Sequence, residues 1–400
     1  MKIAYVCADL GVPVFGFKGC SIHVQEVVRA FLLHGADVTL ITPRLGGEPS
    51  PGLEGVKLIR LPGAGYVDPR QREAHARDLN EHIVTALAEA GPFDMVYERY
   101  SLWSFAAMEY AREQVLPGVL EVNAPLIDEQ ARHRQLIDRE AAEQSASRVF
   151  AAASTLIAVS AEVANYLDTY AETRGRVHVI GNGVNPARFP VTPSASRART
   201  EFTVGFVGTL KPWHGLDNLI EAFVRLRQRH NSEIRLLIVG DGPERGHLEH
   251  TLQSHGLAHA AHFTGAVAPN RIPALLASMD VAVAPYPDNP DFYFSPLKVL
   301  EYMAAGLPVV ASCIGQLATL IQHGRNGMLC PAGQAAALAD TLEALMADPA
   351  LCRTLGVEAR RSVEQAHSWR TVTQRILDLA GLPEPAPVQH VGQVRPGEAT

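Results

Sequence analysis

The chain has 400 residues, of which 47% are apolar and 19% charged. That is the composition of a globular protein large enough for two domains, each with its own core. A net charge of −7 argues against a nucleic-acid binder. The odd, scattered set of five cysteines, with no C-x-x-C pair, fits reduced thiols in the cytoplasm better than a disulfide framework or a zinc site.

In chain order, "MKIAYVCADLGVPVFG" reads as a first strand and not as a signal peptide. No segment approaches the roughly 18 uninterrupted apolar residues of a membrane span. Strands are predicted at 2–8, 37–42, 56–61, 93–98, 119–123, 155–159 and 177–180. Helical patterns lie between them at 21–34, 70–90, 102–114, 128–153 and 161–170. Strands alternating with longer helices specify a parallel sheet with crossover helices. The alternation stops in the proline-rich stretch 187–201, which reads as a linker. It resumes with strands at 202–210, 234–242, 261–267, 280–287 and 307–312, and helices near 216–230, 243–255, 270–278, 296–305 and 315–322. Helices at 334–347, 350–366 and 367–377 follow, then a Pro- and Gly-rich tail that reads as disordered. The expected fold is α/β: a doubly wound domain over 1–186 and another over 202–366. A helix spans 367–381 and a tail 382–400.

Three stretches bear chemistry. In "FSPLKVLEYMAAG" (294–306), Ser295 suits an N-cap, Pro296 the first helical position and Gly306 the stop. The first turn then offers free backbone N–H groups and a positive dipole end, with Lys298 beside them, as an anion site. Glu301 lies six residues past Ser295, roughly 9 Å along the axis, about the span from a diphosphate to a ribose diol. The plainer reading is a capped helix with a Lys298–Glu301 ion pair at i, i+3. The second stretch, "GFVGTLKPWHG" (205–215), runs from strand into a glycine turn where backbone amides, Lys211 and His214 can meet a phosphate. The third, "GDGPERG" (240–246), has the wrong spacing for a dinucleotide fingerprint and reads as an ordinary strand-to-helix turn.

Together with "GCSIHVQEVVRAFLLHGADVTLIT", "VIGNGVNPARF", "LLIVGDGPERGHLE", "FTGAV" and "GRNGMLC", in this order, these segments resemble a family 4 glycosyltransferase of the GT-B fold over nearly the entire chain. The resemblance implies two Rossmann-like domains facing across a cleft, with no metal and no cofactor. The implied reaction moves a sugar from a nucleoside diphosphate sugar to an acceptor with retention. It puts the donor at Gly19, Cys20, Gly208, Thr209, His214, Val267, Ser295, Leu297 and Lys298. Glu301 takes the place of a ribose-binding glutamate, and Lys211 and Asn123 stand near the reacting centre. Five positions depart from the family pattern: Tyr293 replaces an acid, Thr209 and His214 replace flanking cations, Asn123 replaces a histidine, and Cys20 replaces a glycine.

Glu98, Arg99, Glu129 and Arg132 follow first-domain strands and are candidates for the sugar or acceptor, against the plainer reading of ion pairs at a domain edge. The acceptor is a sugar, lipid-linked or small-molecule compound of unknown identity. Basic helices at 69–77 and 129–140 raise peripheral membrane contact, which interleaved acids make the less favoured reading. His23 reads as a packed or capping histidine. Alternatives to transfer are a nucleotide-sugar epimerase of the same architecture or a non-catalytic nucleotide-sugar-binding subunit. An NAD-dependent oxidoreductase ranks last, for want of a glycine fingerprint.

Overall fold

The computed structural model describes residues 1–63, 65, 68–190, 201–230, 234–289 and 292–382. Positions 191–200 of the expected linker and 383–400 of the expected tail lie outside the described residues.

The first half runs β1 (Lys2–Val6), α1 (Gly19–Leu33), β2 (Asp37–Thr42), β3 (Lys57–Arg60), α2 (Pro69–Ala90), β4 (Met95–Arg99) and α3 (Ala106–Glu113). It continues with β5 (Gly118–Val122), α4 (Leu126–His133), α5 (Arg139–Ala152), β6 (Thr155–Ala158), α6 (Ala161–Leu167) and β7 (Val177–Val179). The second half runs β8 (Phe202–Val207), α7 (Leu216–His230), β9 (Ile234–Val239), α8 (Arg245–Ser254), β10 (Ala261–Phe263), α9 (Ile272–Leu276), β11 (Val281–Ala284) and α10 (Leu297–Ala304). After these come β12 (Val309–Ser312), α11 (Leu317–Leu320), β13 (Met328–Cys330), α12 (Ala335–Ala347), α13 (Pro349–Ala366) and α14 (Trp369–Leu379).

Among the described residues the first sheet has the order β3-β2-β1-β4-β5-β6-β7 and the second β10-β9-β8-β11-β12-β13. The pairings are parallel, as in Tyr5 opposite Tyr97 and Val204 opposite Val281. Helices cover both faces, so central strands such as VAVA (281–284) and VVAS (309–312) are fully buried and apolar but for Ser312. Strand order reverses between β1 and β4 and again between β8 and β11. At such a switch point the neighbouring loops part and leave a crevice beyond the strand ends.

Two helices differ from expectation. The single helix at 128–153 is broken in two, because the Asp138 carboxylate accepts the Ala141 N–H at 3.0 Å and starts α5 afresh. The helix expected from 102 begins at Ala106. There the Asn80 side-chain oxygen of α2 accepts the N–H groups of Phe105 and Ala106, both at 3.0 Å. That cap comes from a residue about 25 positions upstream, beyond the reach of any local pattern.

The chain's last described helix crosses to the first sheet. Trp369 of α14 meets His23 of α1 edge-on, with ring centroids 5.0 Å apart, and packs with Val24, Val27 and Phe31. His34 Nε2 lies 3.0 Å from the Arg370 carbonyl oxygen. Further cross-links join the halves near their strand ends. Gln316 Nε2 donates to the Val159 carbonyl at 2.8 Å, and Ser160 Oγ donates to the Tyr293 carbonyl at 3.0 Å.

Candidate active site

The short helix α10 lies at the centre of the cleft. Val299, Leu300, Tyr302, Met303 and Ala304 are buried in the second domain's core, while Leu297 packs against the first domain's cluster. Gly306, at φ 70°, stops the helix as expected. Ser295 does not cap it. Pro296 occupies the cap position, and Ser295 Oγ accepts the Asn182 N–H at 3.1 Å while its carbonyl accepts Asn182 Nδ2 at 3.2 Å. The serine is drawn off to the neighbouring domain, so the first N–H groups of α10 have no side-chain acceptor.

Lys298 projects from that first turn toward the β8 turn. Its Nζ lies 4.5 Å from the Phe206 ring centre and 5.4 Å from that of Tyr286, and no acceptor reaches it among the described residues. Burial lowers its pKa to about 7, with Glu301 opposing the fall. Gly208 faces it at φ 152°, and a Cβ there would stand 3.0 Å from Nζ, so only glycine leaves this space open. His214 closes the far side. Its Nδ1 lies 2.6 Å from the Thr209 carbonyl oxygen, which can only accept, so Nδ1 carries the proton. Burial and the neighbouring Lys298 hold the imidazole down to about 3, and it stays neutral. Lys211 is half-buried, with its ammonium 5.5 Å from the Trp213 ring centre. Val267 is half-buried against the apolar cluster that contains Tyr286 and Leu300.

Glu301 sits one turn further along. The ion pair weighed for it with Lys298 does not form among the described residues; the nearest cation is Arg188, whose Nη1 lies 3.9 Å from Glu301 Oε1 and 3.9 Å from Glu26 Oε1 of α1. Burial pushes the Glu301 carboxyl up to about 7, Arg188 opposing and Glu26 reinforcing. Gly19 is exposed and Cys20 half-buried at the start of α1, a helix that likewise has no side-chain cap. The site thus has a cation and an acid on one helix facing a glycine turn, the cation without an acceptor among the described residues and the acid 3.9 Å from Arg188.

Across the cleft, Asn123 follows β5. Its Nδ2 donates to Glu121 Oε1, and the same carboxylate accepts the Tyr97 hydroxyl and lies 2.7 Å from His23 Nε2. Burial alone would raise Glu121, but His23 and these hydrogen bonds outweigh it and hold the carboxyl at about 2. The Asn123 carboxamide is therefore fixed, with Oδ1 buried and unpartnered among the described residues. Glu98 is fully buried with both carboxylate oxygens unpartnered among those residues, and burial pushes it up to about 7. Glu129 accepts the Tyr293 hydroxyl at 3.0 Å, so the tyrosine at the family's acidic position bridges the two domains. Arg132 is exposed on α4.

A cavity of about 270 Å³ opens beside Glu129, between the ends of β1 and β4 and the helices α2 and α4. Glu129 lines it, whereas Glu98, Arg99, Asn123 and Arg132 do not. Sequence reasoning missed Glu26, Glu121 and Arg188, and also Arg72 and Arg134 in the cavity wall. Arg188 was within reach, since it lies inside the quoted "VIGNGVNPARF". The others sit in helices and a strand with no local pattern to mark them. Among the described residues no group of three or more His, Cys, Asp or Glu side chains is placed to hold a metal ion, and no helix is long and apolar enough to cross a membrane.

Known proteins share this architecture. Residues 17–188 match the family described as Glycosyltransferase Family 4, and residues 201–348 match the one described as Glycosyl transferases group 1. An uncharacterized glycosyltransferase from Methanocaldococcus jannaschii is 29% identical over 51% of this chain and 53% of its own. The chain thus spans about half the length of the first curated relatives it matches. A D-inositol 3-phosphate glycosyltransferase from Salinispora arenicola aligns more fully, at 27% identity over 91% of this chain and 87% of its own. The solved structure of Anabaena HepE in complex with UDP and glucose superposes with a TM-score of 0.71 at 20% identity, covering 95% of this chain and 99% of that one. With both halves matched in order and the two-sheet architecture shared, the chain belongs to the family 4, group 1 glycosyltransferases and has their GT-B fold.

Proposed function

We propose that this glycosyltransferase is retaining and metal-independent, and that it moves a sugar from a nucleoside diphosphate sugar to an acceptor held by the first domain. The observation that carries this reading is Lys298: a buried ammonium without an acceptor among the described residues, one turn from an acid, at an uncapped helix start. A buried cation left alone is costly, and an anion bound beside it removes that cost. A pyrophosphate between the α10 amides, Lys298 and Lys211 meets the need, with Gly208 and Thr209 beneath it and His214 and Val267 at its edges. Gly19 and Cys20 close over it from α1. The ribose diol then falls to Glu301.

In the transfer, the bond from the anomeric carbon to the phosphate oxygen breaks and a bond to the acceptor oxygen forms on the same face. The acceptor proton passes to the departing phosphate, and the nucleoside diphosphate leaves. Such a route asks the protein for positioning and for charge stabilisation on the leaving group, which lysines and helix amides supply without a metal. Asn123, fixed by Glu121, is suited to hold a sugar hydroxyl at the reacting centre.

A thermal-shift panel of UDP-, GDP-, ADP- and dTDP-sugars tests the reading. HepE is seen with UDP and glucose, so UDP-glucose is the first member to try. A ligand that binds only the folded state raises its melting temperature. One member of the panel is expected to do so, and Glu301→Ala to weaken the shift. No shift from any member would overturn the reading.

A further inference from the structure

The cavity in the first domain has walls of uneven character. Its carboxylates are engaged: Asp9 accepts the Gly11 N–H at 2.6 Å, Asp68 the Arg70 N–H at 3.0 Å, and Glu129 the Tyr293 hydroxyl at 3.0 Å. Glu73, which is buried, accepts the N–H groups of Ile137 and Asp138 at 2.9 and 3.1 Å. The two arginines of the lining, Arg72 and Arg134, have neither a side-chain hydrogen bond nor an ion pair among the described residues. Neighbouring arginines do: Arg77 pairs with Asp138, and Arg139 with Asp128 and Glu143.

The two unpaired guanidinium groups also converge. A Cβ built on Gly11 would stand 3.5 Å from Arg72 Nη2 and 3.9 Å from Arg134 Nη1, so both forks reach one spot from different helical segments. Asp9 Oδ1 comes to the same spot, at 3.1 Å from that Cβ position, and leaves the cations in the majority there. Like charges gain nothing from meeting unless an anion joins them. A guanidinium fork matches the paired oxygens of phosphate or carboxylate, and two forks bind one oxyanion with several charge-assisted hydrogen bonds. Beyond them the cavity offers the Trp103 ring as an apolar wall, and the remaining lone pairs of Asp9 and Glu129 as acceptors for hydroxyl groups.

We infer that the acceptor is a polyol or sugar carrying an oxyanion group, phosphate or carboxylate, clamped by Arg72 and Arg134 in the first-domain cavity. The inference rests on the reading of the first domain as the acceptor side. Tyr293, which leads into α10, bonds Glu129 on the cavity rim and so links the cavity to the chain that starts that helix.

Calorimetry on the full chain tests it with glucose, glucose 6-phosphate, glucuronate and inorganic phosphate as probes, each with and without the donor sugar nucleotide. At least one charged sugar is expected to bind about tenfold or more tightly than glucose. Arg72→Ala and Arg134→Ala should each weaken it about tenfold, with donor affinity unchanged. Tighter binding of glucose 6-phosphate assigns a phosphate acceptor, and tighter binding of glucuronate a carboxylate one. Gly11→Val, which fills the spot without removing either arginine, should weaken the same probe. Equal binding of glucose and the charged probes, no binding of any charged probe, or arginine variants that bind as the parent does would each overturn the inference. Donor binding in the same samples separates the two readings: a donor that binds while anions do not leaves the proposed reaction standing and removes only the clamp.

Discussion

The α10 turn and the first-domain cavity both present cations without partners among the described residues, but they hold them differently. Lys298 is enclosed by two aromatic rings and a glycine turn, and burial has already lowered its pKa to about 7. Arg134 is exposed and Arg72 half-buried, with their charge kept in contact with water. A desolvated cation costs stability and rewards an anion strongly, whereas a solvated pair costs little and rewards an anion less. The proposed donor side is therefore the costlier half of the cleft, and the proposed acceptor side the permissive half.

Replacing the enclosed cation gives the largest expected effect. Lys298→Met is expected to weaken donor binding by about 2 to 3 kcal/mol, the range for a charge-assisted contact, read by calorimetry with the donor nucleotide. The same variant should melt higher than the parent without ligand, because a buried unpaired charge is exchanged for an apolar side chain. The sign follows from the pKa: a base lowered from 10.5 to about 7 on folding destabilises the charged native state fully below pH 7, and the penalty disappears as pH rises through 10.5. The stability gain should thus be present at pH 6 and absent near pH 11. A variant that binds donor normally, or melts lower at pH 6, breaks the contrast between the two sides.

Next in size is the pH dependence of donor affinity, measured with the sugar nucleotide, whose diphosphate stays ionised across the neutral range. Lys298 must be protonated to meet the pyrophosphate, so affinity is expected to fall as pH rises above about 7. Glu301 must be ionised to accept two ribose hydroxyls, so affinity is expected to fall as pH drops below about 7. The two groups act on each other, and the limbs belong to the pair. Glu301→Gln should remove the acid limb and leave the alkaline one. A flat profile from pH 5.5 to 8.5 would dissociate the lowered lysine from donor binding.

The smallest effect is expected at the bridge between the sides. Tyr293→Phe removes one hydrogen bond to a half-buried carboxylate, about 1 kcal/mol. It should raise the acceptor KM a few-fold and leave donor affinity unchanged, because among the described residues the tyrosine hydroxyl bonds Glu129 of the first domain. A change in donor affinity with no change in acceptor KM would reverse that assignment.

How far each side is legible in sequence follows from how it is built. The proposed donor side lies within one helix turn and one strand turn, where spacing of three residues in α10 and a glycine after β8 are local signals. Even there Ser295 was misplaced, since a serine before a helix reads as a cap and its capture by Asn182 is a long-range event. The first-domain cavity draws on β1, α2, β4 and α4, so Arg72 and Arg134 look like members of ordinary charged helices until folding brings them to Gly11. Glu121 and His23 were hidden for the same reason: a strand carboxylate and a helix imidazole about 100 positions apart become neighbours only through the parallel sheet.

What the sequence determined by itself was the alternation of strand and helix in two doubly wound halves and the placing of Lys298 and Glu301 three residues apart on α10. Each is set by periodicity, turn chemistry and spacing along a few consecutive residues. The tertiary structure alone decided that Lys298 faces rings instead of Glu301, that Tyr293 fastens the domains and that two arginines converge in a cavity. Partners in these contacts lie tens to hundreds of positions apart, and burial, which sets the charge state of each group, exists only once the sheets have packed.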